Sequence, residues 1–110
     1  MPQIIVIAHN IRSTHNVGSI FRTAEGFGVR KIIWSGYTPY PKVKNDMRLP
    51  HISEKITSQI HKTALGAETL VPFEYHDTLD LGTLKVAGYR IVALEQAPNS
   101  INLRDYQPLD

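Results

Sequence analysis

The chain has 110 residues, 42% of them hydrophobic and 20% charged, which predicts one small globular domain rather than a disordered segment. It has no cysteine, so disulfides and thiolate metal sites are excluded. No apolar run approaches the ~20 residues of a membrane span, and Met1-Pro2 leads into an apolar run without a signal-peptide pattern, so a cytoplasmic protein is expected.

The net charge of +2 is unevenly distributed. Residues 1–62 hold nine Lys/Arg and three Asp/Glu, a net +6, whereas residues 63–110 hold three and seven, a net −4. A basic half of this kind attracts polyanions, RNA among them, although ordinary surface charge reads the same way.

The elements come in alternation. "IIVIA" (4–8) is short, β-branched and continuous, as a strand buried on both faces should be. Val17, Ile20, Phe21, Ala24 and Phe27 then follow helical spacing, with Gly28 as a stop. "KIIW" (31–34) predicts a second strand, and Ile52, Ile56 and Ile60 mark a second helix that Gly66 ends. "TLVPF" (69–73) reads as a third strand, with Pro72 arguing for an edge or a strand end. Residues 78–87 give a weaker helix after a possible Asp77 cap, and "RIVALE" (90–95) a fourth strand. Such alternation predicts a parallel α/β sheet with flanking helices, whose ligands sit beyond the carboxyl ends of the strands.

Two polar segments fall at those ends, 9–16 and 95–102. The first, "HNIRSTHN", holds more amide and cationic groups than a turn requires, Asn10, Arg12 and Asn16 among them. The loop 36–50, "GYTPYPKVKNDMRLP", interleaves two tyrosines with Lys42, Lys44 and Arg48. That pattern suits base stacking and phosphate contact, and a proline-stiffened structural loop would look alike.

Several chemistries are poorly supported. Gly18, Gly26 and Gly28 lack the dinucleotide-binding spacing, and no P-loop or nucleophile elbow occurs. The five histidines form no i, i+4 pair, so no metal is expected. What remains is Asn16, Gly18 and Arg22 near one helix start. Arg22 lies about 120° around the helix from Asn16 yet is long enough to reach back toward the first turn. Gly18, without a Cβ, leaves room for a bulky group to approach. In the alternative reading Asn16 is a helix cap and Arg22 a solvated helix residue.

"NVGSIFRTAEGFGV" (16–29) resembles the first signature of the SpoU-type RNA 2′-O-ribose methyltransferases, of the SPOUT class of knotted α/β enzymes. The matching positions are Asn16, Gly18, Arg22, Thr23-Ala24 and Phe27-Gly28, with further similarity in "KTALGAE" (62–68) and "IVALEQAPNSINLRDY" (91–106). The resemblance implies an S-adenosylmethionine-dependent enzyme acting on tRNA or rRNA, a homodimer in full-length form. It implies Arg22 at the reacting ribose, supported by Asn16, and Leu94 and Glu95 at one lip of the cofactor site. A guanidinium offers only N–H donors, so Arg22 suits gripping phosphate and polarising the 2′-hydroxyl better than removing its proton. The family's second and third signatures do not occur before Asp110, so a SPOUT-like fold lacking its knotted part is expected, with an incomplete cofactor pocket and doubtful activity alone. A non-catalytic RNA-binding module and a plain α/β interaction domain are the alternatives.

Overall fold

The structure, a computed structural model, describes residues 3–78 and the backbone of the strand 90–94. Four parallel strands, β1 (Ile4–His9), β2 (Lys31–Ser35), β3 (Phe73–His76) and β4 (Arg90–Leu94), form one sheet in the order β3-β2-β1-β4. The helices α1 (Thr14–Gly26) and α2 (Pro50–Ala64) connect β1 to β2 and β2 to β3. All but the first residue of the helix predicted over 78–87, and the segment 95–110, lie outside the described residues.

The apolar run of β1 is explained by its two faces. Val6 and Ala8, beside Ile32 and Trp34 of β2, join the core under α1 and α2. Ile5, Ile7 and Ile33 alternate to the opposite face and are buried too. A strand with no wet face has no place for polar residues.

Helix α1 starts where Ser13 accepts the Asn16 amide N–H at 3.2 Å. Ser13 is therefore the cap, and Asn16 stands in the first turn with its side chain exposed. Val17, Phe21 and Ala24 are fully buried at the expected spacing. The Phe21 ring lies 5.0 Å from Trp34 and 5.4 Å, edge-on, from Phe73, tying α1 to β2 and β3. Burial of such a ring contributes roughly 2–3 kcal/mol. Phe27 departs from the predicted stripe: the helix ends at Gly26, and Phe27 is 55% exposed before Gly28 turns the chain at φ 65°.

Gly18 is where the two helices meet. A Cβ there would stand 1.9 Å from Thr63 Oγ1, 2.4 Å from the Ile60 carbonyl oxygen and 2.9 Å from the Ala64 nitrogen. The absent side chain lets α2 approach, and the Thr63 hydroxyl donates to the His15 carbonyl at 2.8 Å across the crossing. The room expected at Gly18 for a substrate is filled by the second helix.

The third strand begins four residues later than its sequence suggested. Leu65 (φ 53°) and Gly66 (φ 97°) end α2 in left-handed geometry, and residues Ala67–Thr69 coil into a 3-10 turn. Thr69 ties that turn through its N–H and hydroxyl to the Gly66 carbonyl, at 3.0 and 2.7 Å. Ala67 and Val71 are buried as plugs of the core. Pro72 has no N–H to donate but accepts from the Ile32 N–H at 3.0 Å, so the ladder runs from Phe73 onward. β3 is an edge strand, as Pro72 indicated.

The strand order carries the functional consequence. The chain steps outward from β1 to β2 to β3, then returns to the other side of β1 as β4. This reversal lies between β1 and β4, where open parallel sheets form a ligand crevice at their carboxyl ends.

Candidate functional site

The carboxyl ends of β1 and β2 are joined by a compact polar lock. Asn10 takes a left-handed conformation (φ 56°), donates its backbone N–H to the Ser35 carbonyl at 3.1 Å, and accepts the Tyr37 N–H on Oδ1 at 3.2 Å. Gly36 is required opposite it: its φ is 67°, and a Cβ would stand 1.9 Å from Asn10 Oδ1. The Thr38 hydroxyl, 2% exposed, directs its proton at the Ser35 and Ala8 carbonyls (2.7 and 3.2 Å) and accepts the Ile11 N–H at 3.0 Å. His9 Nδ1 lies 3.0 Å from the buried Ser35 Oγ, and the Tyr75 hydroxyl donates to the Gly36 carbonyl. These bonds hold both strand-end loops in one geometry.

Asn10 and Arg12, both expected to meet substrate, come together here through Tyr37. The Arg12 guanidinium carbon lies 5.4 Å from the centroid of the Tyr37 ring, which is 56% exposed. Thr38 and Gly36 escaped the sequence reading, which took Tyr37 only as one of two loop tyrosines suited to base stacking. Apart from the Thr38 bond to the Ser35 carbonyl, their partners lie 27 or more residues away, and only the Ser-Gly pair after a strand hinted at a sharp turn.

Asn16 and Arg22 are both exposed on α1, on flanks about 120° apart. The Arg22 side chain makes no hydrogen bond or ion pair within the described residues. The first turn of α1 has no acidic residue, so the positive end of the helix dipole is uncompensated by its own side chains. Leu94 is the last residue of β4, register partner of Ala8 in β1, and Glu95 lies outside the described residues.

The cations of the 36–50 loop divide in use. Arg48, expected to hold RNA, is committed within the loop. Its Nε and Nη2 donate to the two Asp46 oxygens at 2.9 and 2.6 Å, Nη1 to the Tyr40 carbonyl at 2.9 Å, and Nη2 also to the Pro41 carbonyl at 3.2 Å. The guanidinium also stacks 3.7 Å from the Tyr40 centroid, and Tyr40 stacks in turn on Tyr75 at 4.1 Å. Arg48 therefore staples the loop rather than reaching for a ligand. Lys42 stands 3.6 Å from Glu54 on the surface, a weak and screened pair, and Lys44 is exposed without a partner among the described residues.

Hydrogen bonds from Arg48 hold the Asp46 carboxyl well below its ordinary value of 3.8; burial opposes this, and the Arg48 and Val43 amides reinforce it. A depressed carboxylate stabilises the fold above its unfolded pKa, and the contribution is lost as pH falls through the folded one. Asp46→Asn is expected to cost roughly 1.5–3 kcal/mol at neutral pH, the range for hydrogen bonds to charged groups. It should also flatten the loss of stability below about pH 4. Denaturant midpoints for both forms across the acid range check this, and identical pH profiles would contradict it.

The described residues contain no group of three or more metal-ligating side chains and no helix long and apolar enough to cross a membrane. A crystal structure of an rRNA methyltransferase from Sinorhizobium meliloti superposes with a TM-score of 0.63 at 15% identity, covering 92% of this chain. The chain spans 42% of that protein's length, and the likeness is one of fold. No curated protein matches. The model of the SpoU rRNA Methylase family matches residues 3–109, nearly the whole parallel α/β chain described above, and the protein belongs to that family.

Proposed function

We propose that the chain forms the RNA-facing part of a methyltransferase that places a methyl group on a ribose 2′-hydroxyl of tRNA or rRNA, with S-adenosylmethionine as donor. The observation that supports this most is the family match across residues 3–109, and the strand order that reverses between β1 and β4 agrees with it. The cofactor suits that crevice: Ala8 and Leu94 are register partners, so the carboxyl ends of both strands open side by side. Leu94 and the following Glu95 are the residues that would hold it. When bound, it supplies an electrophilic methyl group on a positively charged sulfur.

The chain's own work is on the RNA. Arg22, exposed, carries N–H donors and no acceptor. It grips a phosphate and hydrogen-bonds the 2′-oxygen, favouring the negative charge that develops there as the proton leaves to phosphate or solvent. Asn16, its backbone fixed by Ser13, offers a carboxamide to the arginine or the substrate. Arg12, Lys42 and Lys44 add phosphate contacts. In its full-length form the enzyme acts as a cytoplasmic homodimer.

Incubation of the full-length form with radiolabelled S-adenosylmethionine and tRNA or rRNA transcripts tests the reading, and label is expected in the RNA. RNA affinity should also fall with salt, each neutralised phosphate steepening the slope by about 0.7–0.9. Binding without label would favour a non-catalytic RNA-binding module, and affinity indifferent to salt would reject both.

A further inference from the structure

Tyr37 is an anomaly of the strand-end lock. The residues on either side of it are anchored: Gly36 is pinned by Tyr75 and by the close approach of Asn10, and Thr38 is buried with three hydrogen-bond partners. The Tyr37 N–H is itself held by Asn10 Oδ1. Yet the ring projects into solvent, 56% exposed. The fold thus holds a large aromatic face in a set position without using it as core. Arg12 lies over this ring, exposed, and pairs with no carboxylate among the described residues.

An aromatic ring on a rigid support beside an uncompensated guanidinium meets the two needs of an unpaired nucleotide. The ring stacks a base whatever its identity, and the cation takes the phosphate. A duplex keeps its bases stacked on one another and offers Tyr37 none. An acidic peptide would use Arg12 but not the ring.

We propose that Tyr37 and Arg12 form a subsite for one unpaired nucleotide of RNA, its base stacked on the free face of Tyr37 and its phosphate on Arg12. This rests on the RNA reading above and adds a position and a strand state to it. The subsite lies at the carboxyl end of β2, next to the β1 end of the crevice. A nucleotide held there anchors single-stranded RNA at the strand ends and selects loops over helices.

The experiment measures binding of the full chain to a fluorescent 12-nucleotide oligouridine and to an RNA duplex of equal length, for wild type, Tyr37→Ala, Tyr37→Phe and Arg12→Ala. Tyr37→Ala keeps the backbone N–H that Asn10 holds, and thermal melting confirms that it folds. On the order of tenfold weaker oligouridine binding is expected for Tyr37→Ala with an unchanged salt slope, near-wild-type affinity for Tyr37→Phe, and a shallower slope for Arg12→Ala. Duplex binding should respond to Arg12→Ala and not to Tyr37→Ala. If wild type binds RNA and Tyr37→Ala binds oligouridine equally well, the subsite is wrong while the RNA reading stands. If wild type binds neither RNA, both fail.

Discussion

Gly18→Ala is expected to destabilise the fold by about 2 kcal/mol, which for a domain of this size lowers the melting temperature by several degrees. Two effects oppose each other. Alanine in place of glycine within a helix gains up to about 1 kcal/mol, because less backbone freedom is lost on folding. Against this, the new Cβ meets the Ile60 carbonyl oxygen at 2.4 Å and the Ala64 nitrogen at 2.9 Å, both backbone atoms that no rotamer change can move. The helices must separate, opening the packing of Val17 and Ile60 and losing the Thr63 to His15 bond. Overpacking wins. Differential scanning calorimetry checks it; a variant as stable as wild type with weakened RNA binding would return Gly18 to the substrate side.

In the full-length form, Arg22→Ala should reduce methyl transfer by roughly 10²–10³-fold, the usual consequence of removing one donor aimed at developing charge. Stability should change by less than about 0.5 kcal/mol, because the side chain is exposed and pairs with nothing among the described residues. RNA affinity should fall only by the share of one phosphate contact. Arg22→Lys keeps the charge but loses the planar fork that bonds phosphate and hydroxyl together, so it should restore affinity more than rate. Single-turnover rates beside equilibrium binding separate the two quantities. Unchanged rates in Arg22→Ala would remove the arginine from the reaction.

The strands 4–8 and 31–34 were legible because burial on both faces leaves an unbroken apolar run, a signal that requires no knowledge of partners. The third strand was misplaced because "TLVPF" is apolar for another reason: Val71 plugs the core from a turn, while the ladder waits for Phe73. Of the candidate site, the helix was legible: the spacing of Val17, Phe21 and Ala24 marks α1 and so puts Asn16 and Arg22 on one element. Arg48 could have been read as structural, since an Asp two residues before an Arg forms a local pair, but the carbonyls of Tyr40 and Pro41 depend on how the loop folds. Gly18 leaves space in any reading, and only the position of α2 decides what fills it. The Thr38 lock spans 27 to 30 residues between two strand ends and leaves no periodic trace.

The account centres on methyl transfer to a ribose hydroxyl, and the chemistry of the labelled RNA tests this most directly. Alkali cleaves RNA through attack of each 2′-oxygen on its own phosphate, and a methyl group on that oxygen blocks the step. RNA labelled by the full-length wild-type enzyme and hydrolysed in alkali should therefore carry its label in a resistant dinucleotide. Label recovered in mononucleotides would place the methyl group on a base and contradict the account.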